Sequence, residues 1–347
     1  MKLIAEYVSN GHPDRICDQI VDNVMNTVIK RDSKALVGLE CAISTNKVFL
    51  DGRIAAGKDK CVITNKEIID IIKEIYESIG YSKIWRPSKE ELIINLDICL
   101  EKLSDDERDI RDYSDDQNIV CGYAINNPKT NYLPIEHYLV TEIGKRLWSW
   151  YKENNINYLG PDFKIMLQLD EKSNEYIFDR LTLSWQHSKN TRYDYLRNLL
   201  KEVIDKILLE INLDGLINLN NEKFYFNGAG DFIIGGPEGD NGLSGKKLVI
   251  DYYGPSIPIG GGAIYGKDPH KVDVCGFKRA RELAIRLVKE NNYYSVLTQL
   301  AYSPGEGTPY LVQAIEIEKD GTRKEIENIK LPPKDWFSIE CINNVAN

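Results

Sequence analysis

The sequence predicts an α+β protein built from three similar units, each a mixed sheet with helices on one face. Three observations lead there. Strand-type and helix-type segments alternate along the chain, their order recurs from unit to unit, and residue identities barely repeat. The units run over residues 1–105, 114–231 and 232–347, with one α+β domain carrying insertions as the alternative architecture.

In the first unit, "ICDQIVDNVMNTVIKRD" places Ile16, Ile20, Val24 and Ile29 close to helical spacing. "KALVGLECAIS" and "KVFLDGRIAAG" read as strands joined by a tight turn near Thr45, Asn46 and Lys47. "NKEIIDIIKEIYESIGY" is a helix stopped by a C-cap at Gly80, and "ELIINLDICLE" is a strand again. The unit therefore reads βαββαβ. In the second, the strand "NIVCGYAIN" precedes the helix "LPIEHYLVTEIGKRLWSWYKENN", with Pro134 in its first turn. Paired strands "DFKIMLQLD" and "RLTLSWQHS", the amphipathic helix "YLRNLLKEVIDKILLEI" and the strand "KFYFNGAG" follow. The third begins with "DFIIGGP" as a strand and continues through "KKLVIDYYG", "FKRARELAIRLVKEN", "SVLTQLAYS" and "PYLVQAIEIEK".

With 347 residues, 42% hydrophobic and 28% charged, the chain is ordinary for a globular protein. Its formal net charge of −9 argues against non-specific binding to nucleic acid or an anionic membrane. Cys17, Cys41, Cys61, Cys99, Cys121, Cys275 and Cys341 are scattered, odd in number and without a CxxC pair. That pattern fits free thiols in a reducing compartment. The apolar run in "MKLIAEYVSNGHPD" is too short for a signal sequence, and no run has the length of a membrane span. A cytoplasmic location is the expectation. Residues 101–117, "EKLSDDERDIRDYSDDQ", have almost no apolar content and read as a solvated acidic linker, or as a mobile lid over a site.

Against the overall negative charge, one segment gathers both glycine and lysine. "GGPEGDNGLSGKKLVIDYYGPSIPIGGGAIYGKDPHKVD", from Gly235 to Asp273, sets Lys246, Lys247, Lys267 and Lys271 just after its glycine clusters. Glycine lets backbone N–H groups approach a ligand, and turns of successive N–H groups form anion-binding concavities. Lysine supplies a compact charge suited to phosphate. Asp240 and Asp273 are woven through the same stretch. Solvated hairpin turns are the plainer alternative. Gly261 to Asp268 fits the spacing G-x-x-x-x-G-K, but Asp268 stands where a P-loop needs Ser or Thr, and "PSIPIG" is a poor strand. A second cluster, "SNGHPDRICDQ", places His12, Pro13 and Asp14 before a helix, where anions are favoured. His12 could donate to a phosphoryl oxygen and Asp14 could hold magnesium, or Asp14 could simply cap the helix.

"GHPDRICDQIVD", "DDQNIVCGYAINN", "GPDFK", "WQHS", "GGPEGDNGLSGKK" and "GGGAIYGKDPHKVD" occur here in an order that resembles the S-adenosylmethionine synthetases (methionine adenosyltransferases). The resemblance covers residues 1 to about 310. It implies three βαββαβ domains and a homodimer with active sites between subunits, sometimes paired into tetramers. The implied reaction is attack of the methionine sulfur on C5′ of ATP. The whole triphosphate leaves and is then hydrolysed to pyrophosphate and phosphate. The site must stabilise that charged leaving group and hold the sulfur in line.

By the same resemblance, His12, Lys164, Lys247 and Lys267 are the catalytic groups, with His12 at the bridging oxygen. Asp116, Asp162, Asp231, Phe232, Asp240, Lys246 and Ala263 join them at ATP, Phe232 stacking on adenine. Asp14 and Asp273 would bind two Mg2+ ions, and Glu40 would bind K+. Asp240 and Lys271 would meet the amino acid.

Several positions depart from the family. Lys246 replaces an arginine, Asp231 reverses the charge before Phe232, and "KLPPKDWFSIECINNVAN" replaces a longer C-terminal segment. Arg53 stands where the family has the glutamate that holds the methionine ammonium, and Lys102 aligns with a glutamine of that pocket. A cation about 5 Å from an ammonium costs on the order of 3 kcal/mol at a dielectric near 20. The expectation is therefore a different thioether, without the ammonium or with an extra carboxylate, unless Arg53 turns toward Glu101 or Asp105. A catalytically silent regulatory subunit and a tripolyphosphatase or nucleotide-binding module are the competing functions. Of the remaining histidines, His187 reads as structural, His137 as partly buried and His270 as a surface residue.

Overall fold

The computed structural model describes residues 1–172, 175–211, 213, 216–219, 223–331 and 337. Most of the C-terminal departure, Cys341 included, lies outside the described residues. In chain order the elements are β1 (Lys2–Val8), α1 (Pro13–Arg31), β2 (Leu36–Ser44), β3 (Lys47–Ala55), α2 (Asn65–Ile79), β4 (Ile93–Glu101) and α3 (Asp105–Asp109). Then come β5 (Asn118–Ile125), α4 (Ile135–Asn154), β6 (Leu159–Lys172), β7 (Glu175–His187), α5 (Tyr193–Ile211), β8 (Ile217–Asn218) and β9 (Lys223–Phe226). The last are β10 (Gly242–Leu243), α6 (Leu248–Asp251), α7 (Val272–Asn291), β11 (Ser295–Tyr302), β12 (Leu311–Ile317) and β13 (Arg323–Glu325).

Local chemistry sets many of these boundaries. At the start of α2, the Thr64 side chain accepts from Glu67 N–H while Glu67 reaches back to the Thr64 backbone. Gly80 ends the same helix in the left-handed region, φ 116°. Thr45, φ 54°, makes the tight turn between β2 and β3.

The three sheets do not follow the sequence units strand for strand. β1 leaves its own unit and pairs antiparallel with β6, in a sheet ordered β1-β6-β7-β8 with β9 also on β7. β5 leaves the second unit and pairs with β11, in the order β13-β12-β11-β5. β10 supplies the missing edge of the first sheet, ordered β10-β2-β3-β4. Each unit thus lends a strand to another unit's sheet. The β2-β3-β4 and β6-β7-β9 sheets are mixed, and the third is antiparallel throughout its described strands. α1 and α2 cover the first sheet, α4 and α5 the second and α7 the third, each over its own apolar core.

Four readings from sequence are corrected. Residues 232–235 of "DFIIGGP" form no strand, because the backbone of Phe232 instead exchanges bonds with His187. His270 is buried: its two ring nitrogens lie 3.0 Å from the carbonyl oxygens of Arg111 and Ser33. His137 is likewise buried rather than partly so. Residues 101–117 are not a loose linker either. Ser104 caps α3, Arg108 forks onto Asp32 at 3.0 and 2.7 Å, and the buried Arg111 pairs with Asp268.

Candidate active site

His12 is the N-cap of α1 and is 1% exposed. Its Nδ1 accepts the Asp14 N–H at 3.2 Å. In a neutral imidazole the proton then sits on Nε2. Burial pushes the ring's pKa down to about 3, and the nearby Lys164 ammonium adds to the effect. His12 therefore presents a neutral Nε2–H donor, and that atom has no hydrogen-bond partner among the described residues.

The groups around it are charged. Asp14, Lys164, Lys247 and Asp240 all act on His12, and Lys164, Asp240 and Asp14 act on the buried Asp162. Burial raises the Asp162 carboxyl to about 6, although one oxygen accepts the Gly236 N–H at 2.8 Å. Lys164 faces Val8 across the β1–β6 register, and Ser9, just after β1, bonds Pro161 O, so sheet pairing sets this cluster's frame. Half-buried Phe232 lies against Gly235, where any side chain would strike the ring at 2.9 Å.

Two lysine–aspartate pairs share one design. Asp14 Oδ1 accepts the Leu243 N–H at 3.0 Å, while Oδ2 meets the Lys247 ammonium at 2.8 Å; Lys246 stands 3.7 Å from Oδ1. Asp273 Oδ1 accepts from Asn118 Nδ2 at 2.7 Å, while Oδ2 meets Lys267 at 2.8 Å. Each carboxylate has one oxygen fixed by a neutral donor and one turned to a cation. Burial opposes charge on Asp14, but the Lys247 ammonium and the Leu243 N–H outweigh it and hold the carboxyl below its usual range. Hard carboxylate oxygens that already face a positive charge fit Mg2+, which takes one or two carboxylates beside phosphate oxygens. No set of three or more His, Cys, Asp or Glu side chains gathers as a metal site among the described residues.

The segment bearing these lysines lies between α1 and the edge of β2. On the β2 side, Ser244 bonds Cys41, and Leu39 N–H donates to Gly266 O at 2.9 Å. On the α1 side three aspartates line one face, at positions 14, 18 and 22. Asp14 holds Leu243 N–H, Asp18 holds Gly245 N–H at 2.8 Å and Asp22 holds Gly266 N–H at 2.9 Å. Gly245 and Gly266 both have positive φ, 68° and 73°, and a Cβ on Gly266 would stand 2.4 Å from Leu39 O. Asp18 also pairs with Arg15, which meets Asp251 on α6. Burial raises the Asp18 and Asp22 carboxyls to about 7. Asp18 and Asp22 were missed from sequence. Their signal was the four-residue spacing of carboxylates on a helix face that also carries Val21 and Cys17 into the core.

The remaining candidates are more varied in setting. Lys271 is paired with Asp115 at 2.7 Å, beside the buried Arg111. Ala263 packs against Gly245. Asp231 has a 60% exposed side chain 3.8 Å from His187, which is buried and accepts the Phe232 N–H, a structural role. Glu40, Lys102, Asp116 and Asp240 are exposed. Arg53 turns to acids, but to Glu101 at 2.5 Å and Glu107 at 2.7 Å rather than to Asp105.

The chain matches the family models of the S-adenosylmethionine synthetase N-terminal domain over residues 1–98, central domain over 112–232 and C-terminal domain over 234–339. An S-adenosylmethionine synthase from Clostridium tetani (strain Massachusetts / E88) is 32% identical over an alignment of 359 positions, covering 98% of this chain and 86% of that protein. A solved structure described as an unusual S-adenosylmethionine synthetase from Campylobacter jejuni superposes with a TM-score of 0.78 at 25% identity, covering 90% of this chain and 80% of that one. The chain therefore belongs to the S-adenosylmethionine synthetase family, as a divergent member and an enzyme of the methionine adenosyltransferase type.

Proposed function

We propose that the protein transfers the adenosyl group of ATP to the sulfur of methionine, with release of pyrophosphate and phosphate. The observation that carries this reading is the convergence of Lys164, Lys247, Asp14 and Asp240 on a neutral, unpartnered His12 Nε2–H. As the C5′–O bond breaks, negative charge collects on the bridging oxygen. A preorganised Nε2–H in a buried site stabilises it without reorganisation. Lys247, Lys246 and Lys267 exchange their aspartate partners for phosphate oxygens. Asp14 and Asp273 would hold Mg2+, which supplies further neutralisation of the leaving phosphates. Phe232 offers a face to the adenine ring.

At the amino-acid end, Arg53 is not a bare cation. With Glu101 and Glu107 it forms a cluster of formal charge −1, one cation against two carboxylates. That cluster can attract an ammonium, which favours methionine itself over a substrate without one. Lys102, exposed and without an ion pair among the described residues, favours a second reading: a thioether with an additional carboxylate.

We also propose a homodimer. Ile4 and Met166 lie together on one face of the second sheet, and Phe49, Ile119 and Leu311 are exposed on the others, at 45 to 58% exposure. Burying such faces supports a two-fold partner. Glu40 is placed at K+ by resemblance alone. Incubation with ATP, Mg2+, K+ and a panel of thioethers, read by mass spectrometry, tests the substrate. L-methionine is expected to give S-adenosylmethionine. Product only from des-amino or carboxylated thioethers would replace methionine, and phosphate release without any sulfonium would leave only the tripolyphosphatase reading.

A further inference from the structure

Each phosphate-facing lysine cluster begins one residue after a glycine whose N–H is held by α1. Gly245 precedes Lys246 and Lys247, and Gly266 precedes Lys267. The holders, Asp18 and Asp22, are buried and half-buried respectively, stand four residues apart, and belong to neither lysine–aspartate pair of the site. A helix rises about 1.5 Å per residue, so this spacing sets two anchor points about 6 Å apart along one rigid rod. The two loops they anchor are separate in sequence, and both turn at glycines with positive φ.

We infer that Asp18 and Asp22 are positioning residues that register the two lysine-bearing loops against each other, so that Lys246, Lys247 and Lys267 present their charges at the spacing one polyphosphate chain requires. The inference rests on the polyphosphate reading above, and it assigns the function of the carboxylates behind the lysines rather than of the lysines themselves. Asp18 has a second duty, since it also pairs with Arg15. Asp22 is the cleaner probe, because its carboxylate accepts the Gly266 N–H at 2.9 Å and has no ion pair among the described residues.

The test is a double-mutant cycle on the full-length protein, read by calorimetric binding of inorganic tripolyphosphate with Mg2+. Asp22→Ala is expected to weaken binding about tenfold in the otherwise unchanged protein. In a Lys267→Ala background the same change is expected to cost less than about twofold, because the cation it positions is gone. Asp22→Asn, which keeps an acceptor, is expected to restore binding to within about threefold. An equal loss in both backgrounds would mean a general structural role, and no loss in either would mean no role; each overturns the inference. Should Asp22→Ala fail to fold, the cycle is run with Asp22→Asn, and its smaller loss must again vanish in the Lys267→Ala background. Failure of the unmodified protein to bind tripolyphosphate would instead refute the proposed function.

Discussion

Lys247 and Lys267 leave a backbone pinned from two sides, by aspartates of α1 and by the edge of β2. Arg53, by contrast, projects from β3 into a partly exposed cluster with Glu101 and Glu107. The difference teaches where substitution is tolerated. At the lysine end, a changed residue disturbs buried carboxylates and left-handed glycines that several elements share. At the Arg53 end, charges sit on flexible side chains near water, where reversing one sign is absorbed by its neighbours. Among the departures read from the sequence, those that change or reverse a charge, at Arg53, Lys102 and Asp231, have exposed or partly exposed side chains, whereas Lys246 at the lysine end keeps the charge of the arginine it replaces.

The sharpest way to break this comparison is at Lys247. Lys247→Ala is expected to lower the rate of sulfonium formation about a thousandfold, measured by initial rates under saturating ATP. A change of less than about tenfold would place the leaving-group charge elsewhere. Next comes the joint between the two ends, where Arg111 of the 101–117 segment meets Asp268. Arg111→Ala leaves the Asp268 carboxylate buried without its partner and is expected to cost about 3–5 kcal/mol in denaturant unfolding.

His137, on α4 and away from both ends, supplies a pH reference. Burial, with the Arg281 charge adding to it, lowers its pKa from 6.5 to about 4. A histidine depressed in the folded state contributes stability that is present above the unfolded value and is lost as pH falls through the folded one. Unfolding free energies of the unmodified protein and His137→Gln are therefore expected to converge between pH 6.5 and 4, by up to about 3 kcal/mol. A gap that stays constant across that window would show that the ring does not stay neutral in the fold. The smallest effect belongs to Glu107→Gln. It is expected to change stability by less than about 1 kcal/mol yet raise KM for L-methionine about fivefold, with tripolyphosphate hydrolysis unchanged. A fall in tripolyphosphate hydrolysis of the same size would erase the distinction between the two ends.

Much of this was legible in the chain because it is local. The β2–β3 hairpin, the capped start and glycine stop of α2, and the gathering of glycine with lysine all follow from neighbouring residues. What the sequence hid is long-range. That β1 pairs with β6, β5 with β11 and β10 with β2 depends on partners more than a hundred residues away. The burial of His270 depends on Ser33 and Arg111 closing around it. Composition misled at residues 101–117, because two arginines in an acidic run find carboxylates on distant elements, Asp32 and Asp268. The lysines were found but their supports were not, since Asp18 and Asp22 resemble any polar residue on a helix until Gly245 and Gly266 are set against them.

The most direct test of the central claim is which bond of ATP breaks. With ATP, Mg2+ and methionine, nucleotide and phosphate products are quantified together by mass spectrometry and ion chromatography. Cleavage at C5′ predicts one sulfonium for each pyrophosphate and phosphate formed, with no ADP. ADP and phosphate in equal amounts, without sulfonium, would place the chemistry at the γ-phosphorus and contradict a site built to release the whole triphosphate.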